Sequence, residues 1–199
     1  MAAKRPRAVL KGPLGDALRA VAEALAGLPV PGMLIGGMAV IARGVPRLTR
    51  DVDATIAAGE IDVRELADRI ARHGIIPRIA DAIAFADARQ VLLLRHEPSD
   101  VDVDVSLAWL PFELEAIAAA DRVDVGGVSI RVARAEDLII YKAVAFRPQD
   151  QQDIERLLTL HGTKVDLVRI RRTIDEFAQA IEEPERLAAF ERIVKAVLG

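Results

Sequence analysis

The chain has 199 residues, of which 52% are hydrophobic, and a formal net charge of −3. This length can bury a sizeable core, and the mildly acidic balance excludes an overall basic field for nucleic acid, so any such contact would need a local patch. No cysteine is present, which excludes disulfides, thiolate metal sites and cysteine nucleophiles. The apolar runs are too short to span a bilayer, so we expect a cytoplasmic protein without membrane contact.

Residues 1–13 are predicted to form a basic, flexible tail without the apolar region of a secretory signal. Its four cationic residues are Lys4, Arg5, Arg7 and Lys11. From Leu14 to Leu28, apolar residues recur at helical spacing. This spacing predicts a helix that packs on the core.

The stretch from Leu34 to Ile56 is predicted to hold the functional site. A short apolar strand, Met33 to Ile35, runs into Gly36 and Gly37, which open a short helical run from Met38. Because glycines lack side chains, they let backbone N–H groups and a helix N-terminus approach an anion closely. The pattern therefore indicates a place for phosphate.

A second strand follows a turn at residues 44–46 and carries Asp51 and Asp53. Side chains alternate along a strand, so these two carboxylates are predicted to face the same side, a few ångströms apart. They repel each other unless a cation lies between them. Mg²⁺ prefers carboxylate oxygens, keeps several waters and completes its shell with substrate phosphates. The sequence thus predicts a divalent cation beside the phosphate.

Further along the chain, helices and short strands are mixed. Residues 60–72 have helical periodicity, and three short strands are predicted at residues 75–79, 82–86 and 90–95. A helix is predicted at residues 111–120. A hairpin then turns at Gly126 and Gly127, and from Ala135 onward every pattern is helical.

Three acids alternate with valines in the next predicted strand: Asp100, Asp102 and Asp104. All three are predicted to share one strand face, with the valine face buried. Because three acids in a row repel one another, the pattern indicates that a cation compensates them.

Basic residues in the C-terminal helices have two interpretations each. Lys142 lies in an apolar helical segment, where its stem could lie on apolar surface with the amine in water. The densest basic cluster outside the tail is Arg169, Arg171 and Arg172. These arginines could bind a phosphate backbone, although solvated arginines on a helix face are more common.

The central stretch resembles the signature of the DNA polymerase β-like nucleotidyltransferase superfamily. That signature is an apolar residue, two small residues, a spacer, and then two acids separated by an apolar residue. The matching residues are Ile35-Gly36-Gly37 and Asp51-Val52-Asp53-Ala54. The inner pattern Arg47-x-Thr49-x-Asp51-x-Asp53 is similar to small bacterial nucleotidyltransferases grouped with toxins of abortive-infection toxin–antitoxin systems.

A second block of that group is a helix bearing lysine, followed by an Arg-x-x-Asp-x-x-Asp run. The residues at these positions are Lys142, Arg147, Asp150 and Asp153. For the two acids, capping of a helix N-terminus is an alternative role that needs no substrate.

The resemblance implies an enzyme that moves an NMP from an NTP to a hydroxyl acceptor and releases pyrophosphate, with two Mg²⁺ ions. The implied metal ligands are Asp51, Asp53 and Asp104, with Asp102 as the alternative to Asp104. The spacing to Pro111-Phe112-Glu113 favours Asp104. The implied nucleotide contacts are Gly36, Gly37, Arg47, Thr49 and Lys142.

The fold implied is mixed α/β (α+β). Residues 14–132 would form a nucleotidyltransferase core with a mixed sheet flanked by helices, and residues 133–199 a helical portion that closes the cleft. The implied partners are an NTP such as ATP, an acceptor that is RNA or tRNA, a protein or a small molecule, and, for a toxin, a small antitoxin.

Two other functions remain open from the sequence. A catalytically inactive binding module or partner protein could keep the fold, but a degenerate site usually loses an acid, and all three implied acids are present. A metal-dependent phosphohydrolase could use the same carboxylates, but such enzymes usually place histidines near the metals. The three histidines here are scattered.

Overall fold

The structure is a computed structural model that describes residues 10–59 and 61–199. The basic segment 1–9 of the predicted tail lies outside the described residues. The strands are β1 Gly32–Leu34, β2 Val52–Ile56, β3 Ile75–Pro77, β4 Val91–His96, β5 Val101–Leu107, β6 Asp121–Val125 and β7 Val128–Val132. The α-helices are α1 Pro13–Gly27, α2 Gly36–Ala42, α3 Val63–Ala71, α4 Ala82–Arg89, α5 Pro111–Ala119, α6 Ala135–Ala145, α7 Pro148–His161, α8 Leu167–Ala180 and α9 Glu185–Leu198.

The seven strands within the described residues form one mixed sheet in the order β3-β4-β5-β2-β1-β7-β6. The pairs β2·β5 and β1·β7 are parallel, whereas the other neighbours are antiparallel. The predicted mixed α/β fold is therefore confirmed. The order places β5 directly beside β2, although β3 and β4 separate them along the chain.

The alternation of β5 gives the strand one covered face and one half-exposed face. Its valines are buried and its acids are half-exposed, as expected for a strand with one covered face. Helix α1 packs on the covered layer against β2, β5 and β7. Its buried residues include Leu18 and Val21, which lie on the predicted apolar stripe.

One predicted strand was wrong: residues 82–86 belong to helix α4. The segment alternates alanine with larger apolar residues, which imitates a strand period, but alanine is the strongest helix former. Ala82 and Ala86, one helical turn apart, are buried, whereas Phe85 is 36% exposed. Burial therefore follows the helical period. Gln90 ends the helix in the left-handed conformation.

The prediction that three acids share one strand face was wrong for Asp100. A 3₁₀ turn at Glu97–Ser99 joins β4 to β5, and Asp100 caps it with a φ of 53°. Aspartate tolerates this left-handed conformation better than most residues. Strand β5 begins at the next residue, so of the three acids Asp102 and Asp104 share its half-exposed face.

The chain divides into two compact units. The sheet unit comprises the described residues up to Met38 and residues 48–132, and holds all seven strands with α1, α3, α4 and α5. The helical unit comprises residues 39–47 and 133–199. The sequence alone assigned segment 39–47 to the core at residues 14–132.

The helical unit has a core of its own. Helices α6 and α8 pack together, as do α7 and α9, and α8 and α9. Fully buried side chains at this centre include Leu138, Ile154, Ile174 and Phe190. Within the described residues, no helix is both long enough and apolar enough to cross a membrane.

Candidate active site

The glycine turn and strand β2 meet at one point of the sheet unit, where Gly36 contacts Asp53. Gly36 has a φ of 61°, and a Cβ placed there would overlap the carboxylate of Asp53 and lie 2.7 Å from its Cβ. The backbone N–H of Ile35 donates to the Asp53 carbonyl at 2.9 Å. Position 36 therefore requires glycine on two grounds, because the conformation is left-handed and a side chain would displace Asp53.

Asp104 lies directly beside Asp53. The parallel register of β2 and β5 pairs these two residues, and paired residues on adjacent strands project to the same face. Asp102 lies one pair further along the same face, where Arg95 of β4 is its register partner. The register therefore favours Asp104 over Asp102 as the neighbour of Asp53.

Asp51 comes immediately before β2 and is exposed. The hydroxyl of Thr49 donates to Asp51 Oδ1 at 2.7 Å. Because Asp51 precedes β2, the hydrogen bonds between strands do not hold it in place. The hydrogen bond from Thr49 restrains its side chain instead. Two predicted site residues, Thr49 and Asp51, are thus in direct contact.

Arg78, immediately after β3, is a residue that the sequence did not single out. Its guanidinium donates to both carboxylate oxygens of Asp104, with Nη2 to Oδ2 at 3.4 Å, and Nη1 also donates to the Leu94 carbonyl at 2.9 Å. The hydrogen bond to Asp104 and the charges of Asp104, Asp102 and Asp51 raise the pKa of Arg78, against the lowering effect of burial.

Sheet register explains how Arg78 reaches its partner. The backbone N–H of Arg78 donates to the Leu93 carbonyl at 3.1 Å, and Leu93 pairs with Asp104, which pairs with Asp53. One row across the sheet therefore holds a cation and two acids. Arg95 binds the other acids, with Nε 2.9 Å from Asp102 and Nη1 2.8 Å from Asp100. The sequence contained an indirect signal for both arginines, because the alternating acids of β5 were predicted to need a compensating cation.

The oxygen chemistry of these acids fits a hard divalent cation. Asp53 and Asp104 are adjacent on a half-exposed face, and the guanidinium on Asp104 shows that this position attracts positive charge. In residues 10–59 and 61–199, however, no three acidic or histidine side chains are grouped closely enough to hold a metal ion. Thr49 donates to one oxygen of Asp51, whereas Arg78 donates to both oxygens of Asp104, so a metal would have to displace Arg78 from Asp104.

The helical unit contains a second charged cluster. Lys142 Nζ lies 2.8 Å from Asp150 Oδ1 and 3.2 Å from Asp153 Oδ2. Arg47 Nη1 lies 2.5 Å from Asp153 Oδ2. The two aspartates are each 1% exposed and Lys142 is 8% exposed. Two predicted nucleotide contacts, Arg47 and Lys142, thus share one buried carboxylate.

Asp150 also caps helix α7, as the alternative interpretation of the sequence expected. The backbone N–H of Arg147 donates to its Oδ2 at 3.1 Å, and Arg147 Nε donates at 2.8 Å. Burial by itself raises the pKa of Asp150, but hydrogen bonds from Arg147 and Lys142 lower that pKa below its usual value. These contacts give Lys142 a structural role, while its contact with a triphosphate stays a prediction.

Gly36 against Asp53, with Asp104 on the adjacent parallel strand of a mixed sheet, agrees with the arrangement that the resemblance to nucleotidyltransferases implies. The match of a family model confirms this class. Residues 22–198 match the family described as nucleotidyltransferase of unknown function, DUF6036, and the chain belongs to it. The chain is therefore an enzyme of the nucleotidyltransferase superfamily. No match is found among curated proteins.

Solved structures share the fold at low sequence identity. The crystal structure of ANT(2'')-Ia in complex with adenylyl-2''-tobramycin is 19% identical, with a TM-score of 0.54 over 83% of this chain and 96% of that one. The solution structure of the antibiotic-resistance factor ANT(2'')-Ia is 22% identical, with a TM-score of 0.50 over 89% and 94%. JHP933 from Helicobacter pylori is 17% identical, with a TM-score of 0.51 over 89% and 79%.

Proposed function

We propose that this enzyme transfers an NMP from an NTP to a hydroxyl acceptor in a Mg²⁺-dependent reaction that releases pyrophosphate. The observation that carries the proposal is the contact between the two halves of the signature. Gly36 is shaped around the carboxylate of Asp53, and Asp104 is the register neighbour of Asp53. The backbone proposed to bind phosphate and the carboxylates proposed to bind metal therefore lie close together, which supports the proposal.

In this proposal, different contacts hold the three proposed metal ligands in position. Asp53 and Asp104 are fixed by the ladder between β2 and β5, and Asp51 is oriented by the Thr49 hydroxyl. Bound Mg²⁺ would neutralise triphosphate charge and lower the pKa of the attacking hydroxyl. The backbone N–H groups at Gly36 and Gly37 would orient the β and γ phosphates. No hydroxyl is available at position 37, so phosphate binding there relies on backbone groups.

The acceptor is proposed to be a hydroxyl of RNA or tRNA, of a protein, or of a small molecule. Charge pairing in the helical unit favours the small molecule. Arg169 lies 2.7 Å from Asp137, Arg171 lies 2.6 Å from Glu191, and Arg172 lies 3.8 Å from Glu176. Because each arginine has a carboxylate partner, this cluster attracts a polyanion weakly. The ANT(2'')-Ia structure with adenylyl-2''-tobramycin supplies a first compound class to assay.

The experiment incubates each α-³²P-labelled NTP and Mg²⁺ with total RNA, total protein or a panel of aminoglycosides, for wild type and Asp51→Asn. We expect label in one acceptor fraction with wild type and none with the variant, together with pyrophosphate release. Equal label with both proteins would contradict the proposed metal site. Pyrophosphate release without labelled RNA or protein would identify a small-molecule acceptor. Neither label nor pyrophosphate with any acceptor would overturn the reaction.

A toxin role is a separate part of the proposal, supported by the Arg47-x-Thr49-x-Asp51-x-Asp53 pattern. It is tested by induced expression of wild type and Asp51→Asn in a bacterial host. Growth arrest with wild type alone would support a toxin that needs its antitoxin for control. Normal growth with both proteins at equal abundance would exclude toxicity in that host.

A further inference from the structure

Arg78 contacts Asp104, one of the proposed metal ligands, directly. It holds Asp104 through both carboxylate oxygens, and the Leu94 carbonyl accepts a third hydrogen bond from the same guanidinium. The side chain is 21% exposed, and that of Asp104 is 35% exposed. The pair is therefore partly shielded from water, where charge-assisted bidentate bonds are strong.

A guanidinium and a divalent cation use the same carboxylate oxygens. While Arg78 donates to both oxygens of Asp104, neither oxygen can join Asp53 in an unobstructed cation site. Removing Arg78 from Asp104 would make both Asp104 oxygens available beside Asp53 and leave this pair of carboxylates more negative. A more negative pair of carboxylates attracts a divalent cation more strongly. Arg78 and the cation are thus alternative partners of one acid.

The neighbouring arginine shows that this competition is local. Arg95 carries the same charge on the adjacent strand β4, but its partners are Asp102 and Asp100. Asp102 is the register partner of Arg95, whereas Asp53 is the register partner of Asp104. Arg95 therefore compensates acids outside the Asp53–Asp104 pair and serves as a natural control.

We propose that Arg78 is an internal counter-ion that competes with the divalent metal for Asp104. This inference rests on the metal site of the proposed function. In the absence of nucleotide, Arg78 keeps Asp104 neutralised and weakens binding of free metal. When an NTP binds with its metal, the guanidinium leaves Asp104, and the negative triphosphate offers a new partner for it. The site thereby favours metal that arrives with nucleotide.

The test measures Mn²⁺ affinity without nucleotide, by isothermal titration calorimetry and by electron paramagnetic resonance of free Mn²⁺. The proteins are wild type, Arg78→Gln, Arg78→Lys, Arg95→Gln and the double variant Arg78→Gln/Asp104→Asn. Thermal melts of each protein, with and without Mn²⁺, show whether it is folded. All proteins are full-length, and no readout depends on turnover.

We expect Arg78→Gln to bind Mn²⁺ about fivefold more tightly than wild type, and Arg95→Gln to bind like wild type. Arg78→Lys keeps the charge and should restore affinity close to that of wild type. The double variant should lose the gain, because the gain requires Asp104. Its melting temperature should rise less with Mn²⁺ than that of Arg78→Gln.

Three results would overturn the inference. Weaker binding by Arg78→Gln would mean that Arg78 positions Asp104 for the metal. An equal gain in Mn²⁺ affinity in Arg78→Gln and Arg95→Gln would mean that any nearby positive charge weakens Mn²⁺ binding, without specific competition for Asp104. Absence of Mn²⁺ binding in every protein would remove the competition altogether. Label transfer remains a separate readout, since transfer by wild type with no gain in Arg78→Gln would uphold the function and reject the inference.

Discussion

The two carboxylate clusters of this protein have similar chemistry and opposite surroundings. In the sheet unit, Asp53 and Asp104 are half-exposed, next to a glycine that leaves room for one of them. In the helical unit, Asp150 and Asp153 are each 1% exposed, and lysine and arginine side chains neutralise them. Solvent-accessible acids can exchange partners, whereas a buried acid that loses a cationic partner destabilises the fold.

The largest expected effect is a loss of activity when an acid of the sheet-unit cluster is replaced. Asp53→Asn and Asp104→Asn should each lower nucleotidyl transfer by at least about 10³-fold, or roughly 4 kcal/mol, because each removes a charge proposed to hold the metal. Their free energies of unfolding should change by no more than about 1 kcal/mol. Initial rates of pyrophosphate release and urea unfolding are the measurements.

Asp102→Asn is the matched control, since Asp102 lies on the same strand face and pairs with Arg95. It should keep most of the activity. Loss of activity in Asp102→Asn with retention in Asp104→Asn would reverse the assignment of the third acid.

The next largest expected effect is a loss of stability when a cation of the helical-unit cluster is replaced. Lys142→Met should lower the free energy of unfolding by about 3 kcal/mol, because it leaves Asp150 and Asp153 buried with less positive charge around them. Lys195→Ala, which changes an exposed lysine of α9, should have little effect. Urea unfolding and the KM for NTP are measured on the same proteins. Unchanged stability with a raised KM would instead support contact between Lys142 and the triphosphate.

A smaller effect tests the shape of the glycine turn. Gly36→Ala should cost about 2 kcal/mol of stability, because the new Cβ meets the Asp53 side chain in a left-handed backbone conformation. It should also lower transfer activity by displacing that carboxylate. Gly27→Ala is the control: no atom lies within 4 Å of a Cβ there, and stability should change by no more than about 0.5 kcal/mol. Equal behaviour of the two variants would contradict the proposed close approach.

The smallest effect is the pH dependence of stability that two acids of the helical unit contribute. Asp150 has a lowered pKa in the folded chain, so its stabilising contribution is present above its unfolded value of about 3.9 and is lost as the pH falls through the folded pKa. Asp137 behaves oppositely. Burial raises its pKa against the effect of Arg169, so its contribution is present below its unfolded value and is lost as the pH rises through the folded pKa.

Urea unfolding between about pH 2 and pH 6 measures this difference for wild type, Asp150→Asn and Asp137→Asn. Asp150→Asn should flatten the loss of stability at the acid end. Asp137→Asn should steepen the net rise of stability with pH. If the free energy of unfolding changed with pH at the same slope in both variants, neither carboxylate would have the environment described.

Local features of the fold were predictable because a few neighbouring residues encode them. The pair Gly126 and Gly127 turns the hairpin with φ values of 60° and 90°, as their sequence predicts. The Gly-Gly and Asp-x-Asp pattern indicated the class of enzyme, since phosphate and metal binding need those groups at short range. The segment 82–86 was misassigned because its apolar alternation imitates a strand, and only its packing showed the helical period.

The sequence by itself determined the residue types of the site, the class of enzyme and most helix and strand positions. Tertiary structure alone decided which acids meet: Asp53 and Asp104 become neighbours only when β5 inserts beside β2. It also decided the partners of Arg78 and Lys142. The physical reason is that strand order and burial depend on contacts between residues far apart in the chain, which no local period or turn signal encodes.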